Sequence, residues 1–248
     1  MVGGNRWRLQ LLIAVAAMAI ILAFVVYPRP SYVVPDRGGA YVEAISGLPK
    51  LLNPILATPD SIDSDLASLV FSGLTKLNER GEPAPDLALS WEVSADNKTY
   101  TFTLREGVQW QDGEPFSAAD VVFTLRAMQD AAYQGSPELA QLWRNVRVES
   151  PDPRTVRFQL RDAYAPLPEF ASIGILPAHL LRDVPATELP GYAFNARPVG
   201  TGRFRVKAAS RDELILDANA LICHLTLLLY AAWGNLKRMS QFLYVFRS

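Results

Sequence analysis

SWEVSADNKTYTFTLREGVQWQDGEPFSAADVVFTL, from Ser90 to Leu125, is the stretch of this sequence that decides the fold. Within it, Tyr100, Phe102 and Leu104 alternate with threonines. A period of two in aromatic and apolar residues predicts a strand that is buried on one face. A similar alternation comes before it, and the turn residues 96–98 separate the two runs. The first half of the stretch therefore predicts a β-hairpin.

The second half of the stretch predicts a helix. Ser117 can cap its first turn, and Asp120 lies three residues later, which is the spacing of a capping box. Apolar residues then recur at helical spacing, namely Val121, Val122, Leu125 and Met128. A hairpin that leads into a capped helix is thus the central unit of the predicted fold.

The sequence before this unit predicts a strand, a loop and a first helix. Ala40 to Ile45 is apolar and predicts a strand, while glycine and prolines break the segment from Ser46 to Asp60 into a loop. Ser61 or the residue before it can cap the helix, and two aspartates follow in its first turn, where the helix dipole favours negative charge. Gly73 is expected near its end. The apolar stripe of this helix is Ile62, Leu66, Leu69, Val70 and Leu74.

The rest of the chain predicts hairpins and short helices in succession. They are a loop at Gly81 to Pro85, a helix around Leu139 to Trp143, a hairpin from Val146 to Leu160, a helix from Pro166 to Ala171, a strand from Ile173 to Leu176, a helical turn from Pro177 to Leu181, and a hairpin from Phe204 to Leu216. Sequential hairpins mixed with short helices are typical of an α+β fold.

Composition excludes several classes of protein. The chain is 50% apolar and 20% charged, so it has enough apolar residues for a packed core. Its formal net charge of -1 offers no basic surplus for nucleic acid. One cysteine excludes a disulfide framework, and the two histidines show no metal-ligand spacing. We expect no cofactor, no metal and no nucleic-acid partner.

The N-terminal segment predicts attachment to a membrane. Leu9 to Tyr27 is an uncharged run that spans roughly 28 Å as a helix, close to the hydrocarbon thickness of a bilayer. Arginines at the leading end favour a cytoplasmic N-terminus, residues 1–8, with the remainder of the chain outside. An uncleaved anchor and a cleaved signal segment are both possible, and the absence of a small-x-small site after the run favours the anchor. Residues 28–37 are rich in proline and predict a linker.

Once these elements are placed, the residues resemble a known family. The Ser90 to Leu125 block is similar to the hallmark region of the family 5 extracellular solute-binding proteins, which are periplasmic receptors for oligopeptides, dipeptides and nickel in ABC importers. Four further segments agree in order: LNPILATPDSIDSDLASLVFSGL (Leu52 to Leu74), DPRTVRFQLRDAYAPL (Asp152 to Leu167), ILPAHLL (Ile175 to Leu181) and NARPVGTGRFRV (Asn195 to Val206).

The resemblance implies a fold, a function and a set of partners. It covers residues 38–219 and implies an incomplete first lobe of a type II periplasmic-binding-protein fold. The implied function is extracytoplasmic binding of oligopeptides and their delivery to ABC permease subunits, without enzymatic chemistry. No nucleophile–base motif in the sequence argues for an enzyme, and His179, between apolar residues, suits a structural role better than that of a base.

Similarity to the family also implies which residues face the ligand cleft. These candidates lie in three segments, and they are Ser46, Asn53, Tyr133, Gly200, Thr201, Gly202 and Phe204. In the last segment this chain departs from the family, because Arg203 and Phe204 stand where a proline and a tyrosine are usual.

The C-terminal tail departs from the family. Residues 220–248 are atypical and apolar, and a disrupted reading frame or truncated gene is the preferred explanation over a second membrane segment. The family's second lobe is missing from the sequence, so we expect this chain to bind solute weakly or not at all when alone. The alternative is a membrane-anchored interaction module that binds no solute.

Overall fold

The fold is known for most of the second of two compact units, Met1–Arg37 and Gly38–Ser248. A computed structural model describes residues 51–59, 61–209 and 214–219, together with the single residues Met18 and Pro49. The predicted strand at Ala40 to Ile45, the apolar run Leu9 to Tyr27 and the tail 220–248 lie outside these residues. Within the described part of the chain, no helix has the length and apolar character needed to span a membrane.

The described elements follow one another as antiparallel hairpins and short helices. In chain order they are α1 (Ile62–Val70), β1 (Thr75–Leu77), β2 (Pro83–Pro85), β3 (Ala88–Val93), β4 (Thr99–Leu104), α2 (Ala118–Gln129), α3 (Pro137–Arg144), β5 (Val146–Asp152), β6 (Thr155–Leu160), α4 (Leu167–Phe170), α5 (Ala178–Leu181), two 3-10 helices (Leu189–Gly191 and Ala193–Ala196), β7 (Phe204–Ala209) and β8 (Leu214–Ala218).

A four-stranded antiparallel sheet is the largest of the described sheets. Its strand order is β3-β4-β6-β5, so the two predicted hairpins lie side by side. Trp91 pairs with Phe102 across the first hairpin, and Tyr100 pairs with Phe158 between the hairpins. Asn97 has a φ of 54°, which an asparagine tolerates in a tight turn. Both hairpin predictions are confirmed.

Aromatic side chains form the core on one face of this sheet. The Phe102 and Phe158 rings have centroids 5.3 Å apart, and Trp143 of α3 meets Phe158 edge-on at 5.7 Å. The apolar stripe of α2 covers the same core with Val121 and Leu125, which are buried as the helical spacing predicts. The sheet and the two helices thus share one hydrophobic core.

The capping box of α2 is present, and its aspartate does more than cap the helix. Asp120 Oδ2 accepts from the backbone N of Ser117 at 2.9 Å, while Oδ1 accepts from the backbone N of Ala178 at 2.9 Å. The residue is only 4% exposed. One carboxylate therefore joins the start of α2 to the start of α5.

We expect Asp120→Ala to lower the free energy of unfolding by about 2 to 3 kcal/mol, because it leaves two backbone N–H groups without their charged acceptor. Urea unfolding followed by circular dichroism measures the effect. Glu138→Ala removes an exposed carboxylate from the first turn of α3 and should change stability little. Equal effects of the two substitutions would contradict this role of Asp120.

The first helix is shorter than the sequence predicts. Ser61 caps it as expected, since its side chain accepts from the Ser64 backbone N, but the helix ends at Val70. Leu74 therefore lies beyond the helix, in an extended segment where its backbone N donates to Ala171 O at 2.9 Å. Gly73 marks a close approach of chains, because an added Cβ would lie 2.5 Å from the Ser172 carbonyl carbon. This contact between chain segments, and not helix periodicity, determines the path here.

Two further predictions of secondary structure are wrong. The predicted loop Gly81 to Pro85 contains β2, which pairs with β1 in a short ribbon. Prolines at both ends of β2 argue against a strand when the sequence is considered alone, because proline has no backbone N–H to donate to a neighbouring strand. The predicted strand Ile173 to Leu176 belongs to no described strand, and the backbone N of Leu176 donates to the Thr124 hydroxyl instead. The helical turn that follows it and the final hairpin are confirmed.

Candidate functional site

An open groove runs along one side of α1 and is the candidate site. Its volume is about 1220 Å³, and its lining comes from the loop before α1, from α1, from the β1–β2 ribbon, and from residues 169–174 and 201–203. We call this feature the α1 groove. Apolar side chains such as Phe71 and Ile173 line it beside exposed polar residues such as Ser68. The groove exceeds the usual 300–1,000 Å³ of a small-molecule pocket, which suits an extended ligand.

The loop before α1 forms one end of the α1 groove. Pro54, Ala57 and Pro59 line the groove, and among residues 51–59 Thr58 and Pro59 are exposed. The Ser61 hydroxyl donates to Thr58 O at 2.6 Å, so the exposed tip is tied to the start of the helix. The turn that caps α1 thereby also presents the tip of the loop to the groove.

Asn53 lies beneath this loop and is fully buried. Its side-chain amide donates to Asn195 Oδ1 at 3.0 Å, and its own Oδ1 accepts from the Ile55 backbone N at 3.2 Å. Burying an unpaired amide is costly, so these bonds hold the loop on the segment around Asn195. Asn53 supports the loop from inside and has no exposed surface with which to touch a solute.

Tyr133 reaches the same loop from the other side. Its hydroxyl donates to Ile55 O, and burial raises the pKa of the phenol to about 12. The tyrosine follows α2 and is partly buried. It is not part of the groove lining. The structure therefore brings Asn53 and Tyr133 together at one loop, where Asn53 is fully buried and Tyr133 is partly buried.

Residues 201–203 line the α1 groove beside the C-terminal end of α1. The Gly202 backbone N donates to Val70 O at 2.7 Å, where α1 ends. Thr201 is 1% exposed and has a hydroxyl with no hydrogen-bond partner among the described residues, and Phe204 is buried. Arg203 is exposed and lines the groove. Of the two residues that depart from the family pattern, Arg203 is therefore the one that contributes a charge to the groove, whereas Phe204 is buried.

Charged side chains of both signs lie along the groove wall. Asp86 lines the groove, and its burial raises the pKa of the carboxyl above the usual range, against the lowering effects of Lys76, Arg203, a hydrogen bond from Ser72, and Arg105. Desolvation is the larger effect, which means that the carboxylate is not fully compensated by the nearby cations. The wall therefore offers cationic and carboxyl groups within an apolar surface.

Comparison with known proteins identifies the family. The sequence model of the bacterial extracellular solute-binding proteins, family 5 Middle, matches residues 82–221, more than half of the chain. The chain belongs to this family. Its members are the solute-binding components of ABC importers, and the prediction made from the Ser90 to Leu125 block is confirmed.

Individual relatives of this family 5 chain include peptide-binding and nickel-binding proteins. It is 31% identical over 190 residues to the oligopeptide-binding protein AppA of Bacillus subtilis, a match over 75% of this chain and 34% of AppA. The structure of B. subtilis AppA in complex with a nonapeptide is similar with a TM-score of 0.68 and 30% identity, over 75% of this chain and 37% of that one.

A nickel-binding relative has a comparable similarity. The structure of NikZ from Campylobacter jejuni in complex with Ni(L-His) matches with a TM-score of 0.62 and 32% identity, over 73% of this chain and 34% of that one. The family 5 chain thus spans about a third of the length of the relatives it matches. The similarity shows the periplasmic-binding-protein fold of one part of these receptors.

The described residues of the family 5 chain offer no metal centre. Among them, no group of three or more His, Cys, Asp or Glu side chains could hold a metal ion. His179 Nε2 lies 2.8 Å from Asp112 Oδ2, and the His179 ring packs beside Trp110 with centroids 6.0 Å apart. This pair joins α5 to the loop after β4, which agrees with the structural role predicted for His179.

The predicted cleft residues of the family 5 chain divide into three groups. Thr201 and Gly202 line the α1 groove, Asn53, Tyr133, Gly200 and Phe204 lie behind or beside it, and Ser46 lies outside the described residues. Sequence reasoning missed Pro59, Ser68 and Asp86. Only Ser68 had a usable signal, since it is a small polar residue on the face of α1 opposite the apolar stripe.

Proposed function

We propose that this chain is one lobe of an extracytoplasmic solute-binding receptor that captures oligopeptides for an ABC permease. One observation carries the proposal: residues 201–203, a segment that the resemblance implies for the ligand cleft, line the same groove as Pro54, Ala57 and Pro59 of the loop before α1. The nonapeptide bound by the AppA relative supports peptide as the solute class. The mechanism is capture without chemistry, in which the lobes close on the solute and the closed form docks on the permease.

The groove has the features that an extended peptide requires. Phe71 and Leu69 supply apolar wall for side chains, and Asp86 and Arg203 supply charges of both signs. A peptide's backbone groups must find partners on burial, because each unpaired buried group costs about 1 to 3 kcal/mol. A single lobe can satisfy only part of them.

Affinity of one lobe alone is therefore low. Micromolar binding corresponds to about 8 kcal/mol, and retaining half of the contacts leaves about 4 kcal/mol, which is millimolar. The fixed cost of immobilising the ligand lowers it further. We expect the full chain in detergent or nanodiscs to bind a mixed tri- to pentapeptide library with a dissociation constant of about 1 to 10 mM by calorimetry.

Filling the groove should weaken this binding. Ser68→Trp places a bulky ring in the α1 groove from an exposed helix position, and we expect at least a roughly tenfold loss of peptide affinity. Gln141→Trp is the matched control, because Gln141 is an exposed helix residue of α3 outside the groove. Its affinity should equal that of the unaltered chain.

The outcomes of this experiment separate the proposals. A micromolar constant for the unaltered chain would contradict the weak binding of one lobe. The absence of binding at about 10 mM peptide would contradict peptide capture and leave the interaction module as the explanation. Equal affinities for the two tryptophan variants would remove the solute from the α1 groove.

We further propose that residues 9–27 anchor the chain in the cell membrane with the lobe on the extracytoplasmic side. The uncharged run and the preceding arginines support this orientation. Proteinase K added to spheroplasts should digest the domain, residues 38–219, and leave a short membrane-associated fragment. Protection of the domain in spheroplasts would contradict the orientation, and its release without protease would indicate a cleaved signal segment.

A further inference from the structure

The loop that ends the α1 groove is held by a network of side-chain hydrogen bonds behind it. Residues 55–57 are buried, whereas Thr58 and Pro59 are exposed. The tip is therefore a short exposed turn on a buried base. The position of the tip therefore depends on the side-chain hydrogen bonds that hold the base.

Asn53 turns the chain at the base of the loop. Its backbone O accepts from the N of Leu56 at 3.1 Å and from the N of Ala57 at 2.9 Å, and its side-chain Oδ1 accepts from the N of Ile55 at 3.2 Å. Three successive backbone N–H groups thus end on one residue. An asparagine in this position closes the turn and leaves its own amide N–H₂ free to bind elsewhere.

Asn195 receives that amide group and secures it to a second part of the chain. Its Oδ1 accepts from Asn53 Nδ2, while its own Nδ2 donates to Leu189 O at 2.6 Å and to Pro190 O at 3.2 Å. Its backbone O also accepts from the N of Leu52 at 3.3 Å. The Asn195 side-chain N–H groups donate only to backbone carbonyls, so the O and N positions of the Asn53 and Asn195 amides are determined.

Tyr133 secures the loop to a third part of the chain, the segment after α2. Its hydroxyl donates to Ile55 O, the carbonyl next to the N–H groups held by Asn53. Gly135 makes this contact possible, because an added Cβ there would overlap both the Tyr133 hydroxyl and Ile55 O. The two sides of the loop base are therefore held independently, one by an asparagine pair and one by a tyrosine.

We propose that Asn53, Asn195 and Tyr133 are positioning residues that hold the exposed tip, formed by Thr58 and the groove-lining Pro59, in its solute-binding conformation. This inference rests on the proposed function, since it assigns to these residues the preorganisation of the solute site. Preorganised loops raise affinity because the ordering cost is met before the ligand arrives. None of the three residues needs to touch the solute.

Tyr133→Phe tests the inference with a matched control elsewhere in the chain. Tyr100→Phe also removes a hydroxyl that donates to a backbone carbonyl, Tyr164 O at 2.9 Å, but from strand β4 of the sheet and not to the loop. We expect Tyr133→Phe to speed hydrogen exchange of the peptic fragment covering residues 54–59 about tenfold and to weaken peptide binding about fivefold to tenfold. Tyr100→Phe should change neither the exchange of this fragment nor the peptide affinity beyond what its own loss of global stability explains.

The two readouts make the inference and the proposed function fail separately. Hydrogen exchange needs no peptide, so unchanged exchange in Tyr133→Phe overturns the positioning role even if no peptide binds. Binding by the unaltered chain with equal affinities for both phenylalanine variants overturns it as well. Gly135→Ala, which displaces the Tyr133 hydroxyl, should reproduce the faster exchange, and Gly191→Ala, where an added Cβ meets no atom within 4 Å, should not.

Discussion

Gly200→Ala is expected to lower the free energy of unfolding by about 3 kcal/mol or more, near the upper end of what added volume costs. An added Cβ at Gly200 would lie 2.7 Å from the Val70 carbonyl carbon and closer still to its oxygen. Neither group can move easily, because the Val70 carbonyl accepts from the Gly202 backbone N at 2.7 Å. The added Cβ would meet backbone atoms of Val70, so no side-chain rotation relieves the clash.

The measurement is urea unfolding of the full chain, compared with Gly191→Ala. Gly191 is exposed, and an added Cβ there meets no atom within 4 Å, so alanine should be neutral or slightly stabilising. A small effect of Gly200→Ala, similar to that of Gly191→Ala, would show that the segment does not rest on α1 in solution.

The same substitution should also weaken the peptide binding that we propose. Thr201, Gly202 and Arg203 line the α1 groove, and they are carried by the backbone that Gly200→Ala displaces. Gly200 thus matters to the site through packing, although its lack of a side chain leaves it nothing with which to bind a solute.

Phe102→Ala is expected to destabilise the chain by about 3 to 5 kcal/mol, the usual cost of removing a buried phenylalanine ring. Phe102 is fully buried at the centre of the sheet. Its ring lies 5.3 Å from the Phe158 ring and 6.0 Å from the Trp91 ring, centroid to centroid. The substitution would remove the ring contacts that β4 makes with both of its neighbouring strands.

Phe170→Ala is the matched control, because the same ring is 37% exposed there at the end of α4. It should cost about 1 kcal/mol or less, since much of the ring is already in contact with water. Comparable losses for the two variants in thermal or urea unfolding would contradict the buried hairpin, and with it the family's central unit as described above.

Much of the sheet and of α2 could be predicted because the signals are local. The alternation in β4, the turn before it and the capping box at Ser117 each lie within a few residues, and each specifies its conformation through its own backbone and neighbours. The end of α1 and strand β2 could not be predicted in this way. At Leu74 the backbone is held by Ala171, almost a hundred residues later in the chain.

The candidate site shows the same difference between local signals and long-range contacts. Similarity to the family implied that Asn53, Tyr133 and Gly200 face a ligand cleft, and this stays a prediction. In the structure Asn53 is buried, and the exposed surface belongs to neighbours such as Pro59 and Arg203. Exposure depends on which segments pack together, and a single sequence carries no direct record of that.

Local alternation, turn residues and capping were enough to predict a hairpin followed by a capped helix from the amino-acid order, and the resemblance of that stretch to known sequences indicated the family. The α1 groove came only from packing, because its lining is assembled from the loop before α1, the β1–β2 ribbon and residues 169–174 and 201–203. The physical reason is the separation of the interacting residues along the chain. Hydrogen bonds within a turn join near neighbours in sequence, whereas the groove depends on contacts between residues far apart in the sequence, such as Gly202 with Val70.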